Sequence, residues 1–106
     1  MRSLVAVLLL AVAPLAWADD PTFRITIRDH RFSPAEIAVP SNVKIRLVVR
    51  NEDATPEEFE SKKLNREKVI PGRSEATIYV GPLKPGEYPF VGEYHEATAT
   101  GKLVAK

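Results

Sequence analysis

The chain has 106 residues, with 15 lysines and arginines against 14 aspartates and glutamates, and it has no cysteine. The near-balance of charge argues against nucleic acid or an anionic membrane as a partner, because counterion release and surface potentials both act on a net charge. The lack of cysteine excludes disulfides, thiolate metal ligands and thiol nucleophiles.

Residues 1–18, MRSLVAVLLLAVAPLAWA, have the pattern of a secretory signal peptide. A basic start leads into an apolar run, which closes with the small-x-small sequence Ala16-Trp17-Ala18. The apolar run is shorter than the roughly 20 residues needed to span a bilayer, and Pro14 interrupts it. We therefore predict cleavage after Ala18, export to the periplasm, and one domain over 19–106 that is not embedded in the membrane.

Alternation of apolar and polar residues, which is typical of half-buried strands, dominates the rest of the chain. The pattern predicts six strands, within TFRITIR, FSPAEIAVP, VKIRLVVR, SEATIYV, GEYPFV and GKLVA. The side chains expected to face inward are Phe23, Ile25, Ile27, Ile37, Val39, Val43, Ile45, Leu47, Val49, Ala76, Ile78, Val80, Tyr88, Phe90 and Leu103. Proline and glycine between these runs stop the strands. The sequence therefore predicts an all-β sandwich of two antiparallel sheets.

The stretch PEEFESKKLNREKV is the segment most capable of forming a helix. Pro56 suits a first helical position, and Glu57 and Glu58 are favourable at a helix N-terminus. We predict at most one short helical turn there, or an irregular loop. In an extended segment Glu58 and Glu60 would share the face opposite Phe59, which we expect to be buried, whereas in a helix Glu57 and Glu60 would share a face.

The two histidines lie in different surroundings. His95 stands in GEYHEATATG, just before the last apolar run, where a loop imidazole is either solvated or a metal ligand. His30 lies between Asp29 and Arg31, in the turn after the first predicted strand. We interpret His30 as a solvated turn residue, because neighbouring arginines disfavour a bound cation.

The order of these motifs resembles the cupredoxins. The matching pieces are F-x-P-x-x-I-x-V-P at 32–40, a strand ending in Asn51, a loop containing Pro56, Pro71-Gly72, P-L-x-P-G-x-Y-x-F at 82–90, and G-K-L-V at 101–104. The resemblance covers nearly all of the predicted mature chain and implies a Greek-key antiparallel β-sandwich. The segments PEEFES, EKV-x-PG and GEYH are similar to those of periplasmic cupredoxin-like proteins found with bacterial ferrous-iron permeases.

The resemblance also shows where this chain departs from a copper site. A cupredoxin normally binds copper through a His after the Asn-ended strand, then through Cys, His and often Met from the last loop, which together form a blue electron-transfer site. Here Glu57 matches the first His, Gly92 matches the Cys, and Thr98 or Ala99 matches the Met. His95 alone matches its counterpart, so a blue copper site is not expected.

The resemblance implies a metal site whose ligands differ from those of a cupredoxin copper site. It implies that the loop after Pro56 and the GEYH loop meet at one end of the sandwich. The candidate metal ligands are then His95, Glu57, Glu58, Glu60 and Glu93. Which glutamates converge on the imidazole stays open, with Glu57 favoured by its matched position. Carboxylates with an imidazole are a harder donor set than a thiolate site, suited to Fe(II), Mn(II), Cu(II) or Zn(II). We expect iron or copper as the bound transition metal.

The resemblance implies a role in ferrous-iron uptake, in which the protein binds, oxidises or hands over the metal. Its partner would be an inner-membrane iron permease or a periplasmic metal-binding protein. One alternative is a copper-binding or copper-tolerance module without electron transfer, and another is a metal-free interaction domain. No nucleophile with a positioned base and no phosphate-binding glycine loop is present, which argues against a hydrolase or a kinase. Iron oxidation is the one enzymatic activity left open.

Overall fold

A computed structural model describes residues 19–106, which form two β-sheets packed face to face; the predicted signal peptide lies outside the described residues. The strands are β1 Thr22–Arg28, β2 Arg31–Ser33, β3 Glu36–Val39, β4 Ile45–Asn51, β5 Glu57–Ser61, β6 Arg66–Ile70, β7 Ser74–Val80, β8 Gly86–Gly92 and β9 Thr100–Ala105. One sheet has the order β2-β1-β4-β7 and the other β3-β9-β8-β5-β6. Within 19–106 the one helical element is a 3-10 turn at Glu93–His95. The predicted all-β sandwich is confirmed.

Both sheets are mixed rather than purely antiparallel. Strand β1 runs parallel to β4, and β3 runs parallel to β9, whereas the remaining pairs are antiparallel. The expectation of antiparallel strands throughout therefore does not hold for these two pairs. The reason is physical: period-two alternation decides which face a side chain takes, but it carries no information on the direction of the neighbouring strand.

The hydrophobic core fills the space between the two sheets. Its centre includes three phenylalanines, of which Phe59 and Phe90 are at most 1% exposed. The rings of Phe32 and Phe90 pack edge to face, with centroids 4.9 Å apart. This arrangement is favourable because the positive edge of one ring contacts the negative face of the other. One predicted core residue is wrong: Val43 is 40% exposed, because β4 begins only at Ile45 and Val43 belongs to the preceding loop.

The segment predicted to be a helical turn or a loop is a β-hairpin made by β5 and β6. Helix propensity is overridden here, because only an extended β5 places the ring of Phe59 in the core while also pairing with β8. Alternation along β5 then decides the fate of the acidic residues. Glu57 points inward on the same side as Phe59, and Glu58 and Glu60 point outward.

A fully buried asparagine shapes the loop that leads into this hairpin. The side-chain amide of Asn51 donates to the carbonyl oxygens of Thr55 at 2.8 Å and Ile70 at 3.1 Å. Its carbonyl oxygen accepts the backbone N–H of Asp53 at 3.0 Å. These bonds satisfy the buried amide and hold residues 52–56 against the end of the sandwich.

We predict that Phe59→Ala lowers the free energy of unfolding by about 3 to 5 kcal/mol, because it leaves a cavity among the core rings. Chemical denaturation of the purified variants measures this change. The matched control is Val69→Ala on the other strand of the same hairpin, where the side chain is 47% exposed. That control should change stability by no more than about 0.5 kcal/mol. Equal effects at the two positions would contradict the packing described for Phe59.

Candidate metal centre

The buried carboxylate of Glu57 is the organising group at one end of the sandwich. Glu57 begins β5 and is 1% exposed. Its Oε1 accepts the backbone N–H groups of Tyr94 at 2.9 Å and Glu58 at 3.1 Å, and its Oε2 lies 2.5 Å from Nδ1 of His95. A carboxylate removed from water requires such partners, so both of its oxygens are engaged. These contacts tie β5 to the 3-10 turn.

His95 closes the 3-10 turn with its side chain partly exposed, at 28%. Its carbonyl oxygen accepts the backbone N–H of Thr98 at 3.1 Å and of Ala99 at 2.8 Å, which holds the residue in place. Because Nδ1 faces Glu57, the second ring nitrogen, Nε2, remains for another partner. Of the glutamates that the resemblance left open, the structure thus brings Glu57 to His95.

Sequence reasoning missed the second histidine. The ring of His30 stacks on that of His95, with centroids 3.5 Å apart and 9° between the planes. His30 is only half-exposed, in the turn between β1 and β2, and its Nδ1 lies 3.4 Å from Oδ2 of Asp53. Its interpretation as a solvated turn residue is therefore incomplete. The sequence indicates the turn itself, but where the turn lies depends on how distant segments pack.

Asp53 anchors the turn that carries His30. Its Oδ1 accepts the backbone N–H of Asp29 at 2.8 Å, and its Oδ2 accepts that of His30 at 3.0 Å. Burial raises the pKa of the Asp53 carboxyl, but these two hydrogen bonds, with the charges of His30 and His95, outweigh burial and leave the pKa below its ordinary value. The backbone at Asp29 and His30 has φ of 52° and 57°, which this turn requires.

Three side chains meet at this end in a way that suits a metal ion. Each of His30, Glu57 and His95 offers one donor atom, and the three atoms lie within 4.8 Å of one another. Nδ1 of His30 also has the carboxylate of Asp53 beside it, which is the arrangement that orients metal-binding histidines elsewhere. The rings are nearly parallel, so one ring must turn about its Cβ–Cγ bond before both can direct lone pairs at a single ion.

The other predicted ligands lie apart from this group. Because β5 is extended, Glu58 points outward, where Glu58, Glu67 and Glu93 have oxygens within 4.8 Å of one another. Glu60 shares this side, and a hydrogen bond with Glu93, followed by burial and the charge of Glu93, raises the pKa of Glu60. The structure therefore does not bring Glu58, Glu60 or Glu93 to the imidazole of His95.

Gly92, which matches the cysteine ligand in the resemblance, lies where a side chain has no room. A Cβ added there would lie 2.7 Å from Cδ of Glu57 and 2.6 Å from Cβ of Ala99. The carboxylate of Glu57 thus takes the space into which a side chain at position 92 would extend. Thr98, one of the two residues at the methionine position of the resemblance, donates its hydroxyl to the carbonyl oxygen of His30 at 2.6 Å. That contact joins two turns instead of offering a soft ligand.

Residues 2–105 match the family model described as the Cupredoxin-like domain. An uncharacterized protein of Rickettsia prowazekii is 46% identical over 81 residues, which are 76% of this chain. The aligned part spans 65% of that relative's own length. As for membrane spans, none of the helical structure described within 19–106 is long and apolar enough to cross a bilayer.

Two solved structures show the same fold at low sequence identity. The metal binding domain of the Cu(I)-exporting P-type ATPase CopA of Streptococcus pneumoniae has a TM-score of 0.68 and 15% identity, over 80% of this chain and 84% of that one. Auracyanin A, a blue copper protein of Chloroflexus aurantiacus, has a TM-score of 0.68 and 13% identity, over 80% and 98%. These similarities show a shared fold. They say nothing about the donor atoms described above, which are those of this chain.

We predict that Glu57→Ala lowers the free energy of unfolding by about 2 to 4 kcal/mol, because it leaves the amide of Tyr94 and the imidazole of His95 without their buried acceptor. Glu58→Ala, on the neighbouring outward position, should change it by about 0.5 kcal/mol or less. Thermal and urea denaturation compare the two variants. Similar losses in both would show that the carboxylate of Glu57 is not the organising contact.

Proposed function

The chain belongs to the cupredoxin-like domain family, and we propose that it is an exported protein that binds a divalent transition metal ion through His30, Glu57 and His95. One observation carries the proposal. Two imidazoles and a buried carboxylate, supplied by three separate segments of the chain, converge to within 4.8 Å.

The donor set suits such an ion chemically. Two imidazoles and one carboxylate are ligands for Fe(II), Cu(II) and Zn(II), and three protein ligands leave room for water or for a donor from a partner. The carboxylate of Glu57 is buried, so water screens it little, and its negative charge would offset part of the charge of a bound ion. Without a thiolate or a thioether, the residues 19–106 do not supply the ligands of a blue copper site.

Two metals are supported by separate observations. Iron is favoured by the carboxylate, which is a hard ligand, and by the resemblance of PEEFES and GEYH to proteins found with ferrous-iron permeases. In that case the protein binds Fe(II) in the periplasm and hands it to an inner-membrane permease or to another metal-binding protein. Copper binding is favoured by the fold, since CopA's domain was solved with Cu(I) and auracyanin A is a copper protein.

Exposure at the site is compatible with binding and release. Glu57 lies beneath the surface, whereas the side chains of His95 and His30 are 28% and 42% exposed. A partner can therefore approach an ion from the imidazole side without unfolding the sandwich. Transfer of this kind changes only the ligands of the ion, so the proposal requires no electron acceptor.

We predict that calorimetric titration detects one binding site, and that His95→Ala and His30→Ala each weaken it by a factor of ten or more, since each removes one of the few ligands. The titrants are Cu(II), Zn(II), Mn(II) and, under anaerobic conditions, Fe(II). The matched control is the double variant Glu58→Gln/Glu93→Gln, which removes two carboxylates from the outward group and should bind as the wild type does.

Several outcomes would contradict this proposal. Unchanged binding in His95→Ala would exclude the site, and a loss confined to the glutamate control would move it to the outward group. Stronger binding of Cu(II) than the general order of divalent affinities explains would favour the copper alternative.

We also predict that the bound metal raises the melting temperature of the wild type, because a ligand that binds only the native state stabilises it by about 2.7 kcal/mol at a hundredfold excess over Kd. His95→Ala should lose most of this rise. The measurement is a thermal melt with and without each ion. A wild-type melt that no ion shifts would indicate a metal-free interaction domain.

A further inference from the structure

The outer face of the four-stranded sheet concentrates arginine. Alternation and register place on this face Thr22, Arg24, Thr26, Arg28, Arg31, Ser33, Arg46, Val48, Arg50, Glu75, Thr77 and Tyr79, which we call the arginine face. It holds five of the seven arginines in residues 19–106, all of them exposed, and none of its positions is a lysine. Such segregation of one cation type on one face is not expected from a mixed, solvated surface.

Most of this charge is not neutralised within the described chain. Arg24 lies 3.5 Å from a carboxylate oxygen of Glu75, and Arg28 pairs with Glu52. Within residues 19–106, the remaining three arginines of the face, which are Arg31, Arg46 and Arg50, have no carboxylate oxygen within 4.0 Å. The face therefore carries excess positive charge.

The excess positive charge on the arginine face changes the conclusion drawn from the near-neutral net charge, which argued against an anionic partner. The chain as a whole is nearly neutral, but acidic residues gather on the outer face of the other sheet, where Glu58, Glu60 and Glu67 lie on β5 and β6. A partner interacts with one face and its local potential, and not with the average over the molecule. The near-neutral net charge would argue against an anionic partner only if the charges were evenly spread over the surface. They are not, so an anionic partner for one face is compatible with the net charge.

The dimensions of the arginine face suit several anions at once. Arg24 and Arg28, like Arg46 and Arg50, are four residues apart on one strand, which is about 13 Å. Strand β1 lies beside β4, so the two rows form a two-dimensional array. A single small anion would contact one or two of these groups. A surface that presents many phosphates would contact all of them, and the guanidinium fork binds phosphate through two parallel hydrogen bonds.

An amphipathic corner adjoins these arginines. Tyr79 is the cross-strand neighbour of Arg46 and is 45% exposed, with Nζ of Lys44 located 4.7 Å from its ring centroid. Val43, beside Lys44 in the chain, is 40% exposed. An aromatic ring with a polar tip, next to cations and an aliphatic side chain, is typical of residues at the headgroup level of a bilayer. We propose that the arginine face docks peripherally on an anionic phospholipid surface.

Docking in this way would also position the candidate metal centre. The turn that carries His30 connects Arg28 to Arg31, so the imidazole pair lies at the border of the arginine face. The acidic outer face of the other sheet would point away from the lipid, where repulsion is smallest. The docking proposal rests on the arginines and on the adjoining corner of Lys44, Tyr79 and Val43, and it is independent of metal binding.

The test is co-sedimentation of the metal-free protein with vesicles of phosphatidylcholine, with and without about one third phosphatidylglycerol. We expect binding to the anionic vesicles at low salt, a marked loss at high salt because the charges are screened, and no binding to the neutral vesicles. Arg46→Gln/Arg50→Gln should weaken binding on the order of thirtyfold, or about fivefold for each cation removed. Circular dichroism melts verify that the variants fold.

The matched control is Lys62→Gln/Lys68→Gln, which removes the same charge from the β5–β6 hairpin, outside the arginine face. It should bind the anionic vesicles nearly as the wild type does. Equal loss in control and variant, binding that ignores lipid charge, or no binding at low salt would each overturn the proposal. Binding to soluble polyglutamate or DNA but not to vesicles would overturn it in favour of an acidic macromolecule. If the double arginine variant does not fold, Arg31→Gln on edge strand β2 replaces it, with an expected loss of about fivefold.

Discussion

The end of the sandwich that carries the candidate metal centre depends on one buried carboxylate. Glu57 enters the sandwich at the start of β5, on the same side as Phe59, and it is stable there only because two backbone amides and the ring of His95 satisfy its oxygens. The same carboxylate occupies the space next to Gly92. One residue thus orients the imidazole, holds the 3-10 turn, and closes the position from which a side chain at 92 would reach the site.

The rest of the site is assembled around this contact by turns. Asn51 holds the β4–β5 connection, which presents Asp53, and Asp53 in turn binds the two amides of the turn that carries His30. The hydroxyl of Thr98 binds the same turn from the other side. These polar side chains therefore form a connected network, and this network holds both imidazoles in place at the candidate metal centre.

The charged residues and the histidines of this protein are distributed unevenly over its surface. The arginine face and the acidic outer face of the other sheet lie on opposite sides of a thin sandwich, and the two histidines lie at its end. A nearly neutral chain in this way presents a cationic face, an anionic face and an end that carries two imidazoles. The fold explains this separation of charge, because each sheet has its own outer face, and the residues of that face alternate along the strands with those of the core.

The sequence by itself determined six of the nine strands described in residues 19–106, and two of the three residues at the candidate metal centre. Alternation is local, so TFRITIR and SEATIYV predicted β1 and β7 with the bounds observed, and the resemblance favoured Glu57 among the glutamates that could lie beside His95. Only the tertiary structure decided the parallel strand pairs, the hairpin at 57–70, the stacking of His30 on His95, and the gathering of arginines on one face. Each of these depends on which distant segments become neighbours. That choice is made by burial of the whole core, with Phe59 at its centre, and periodicity along a single strand does not contain it.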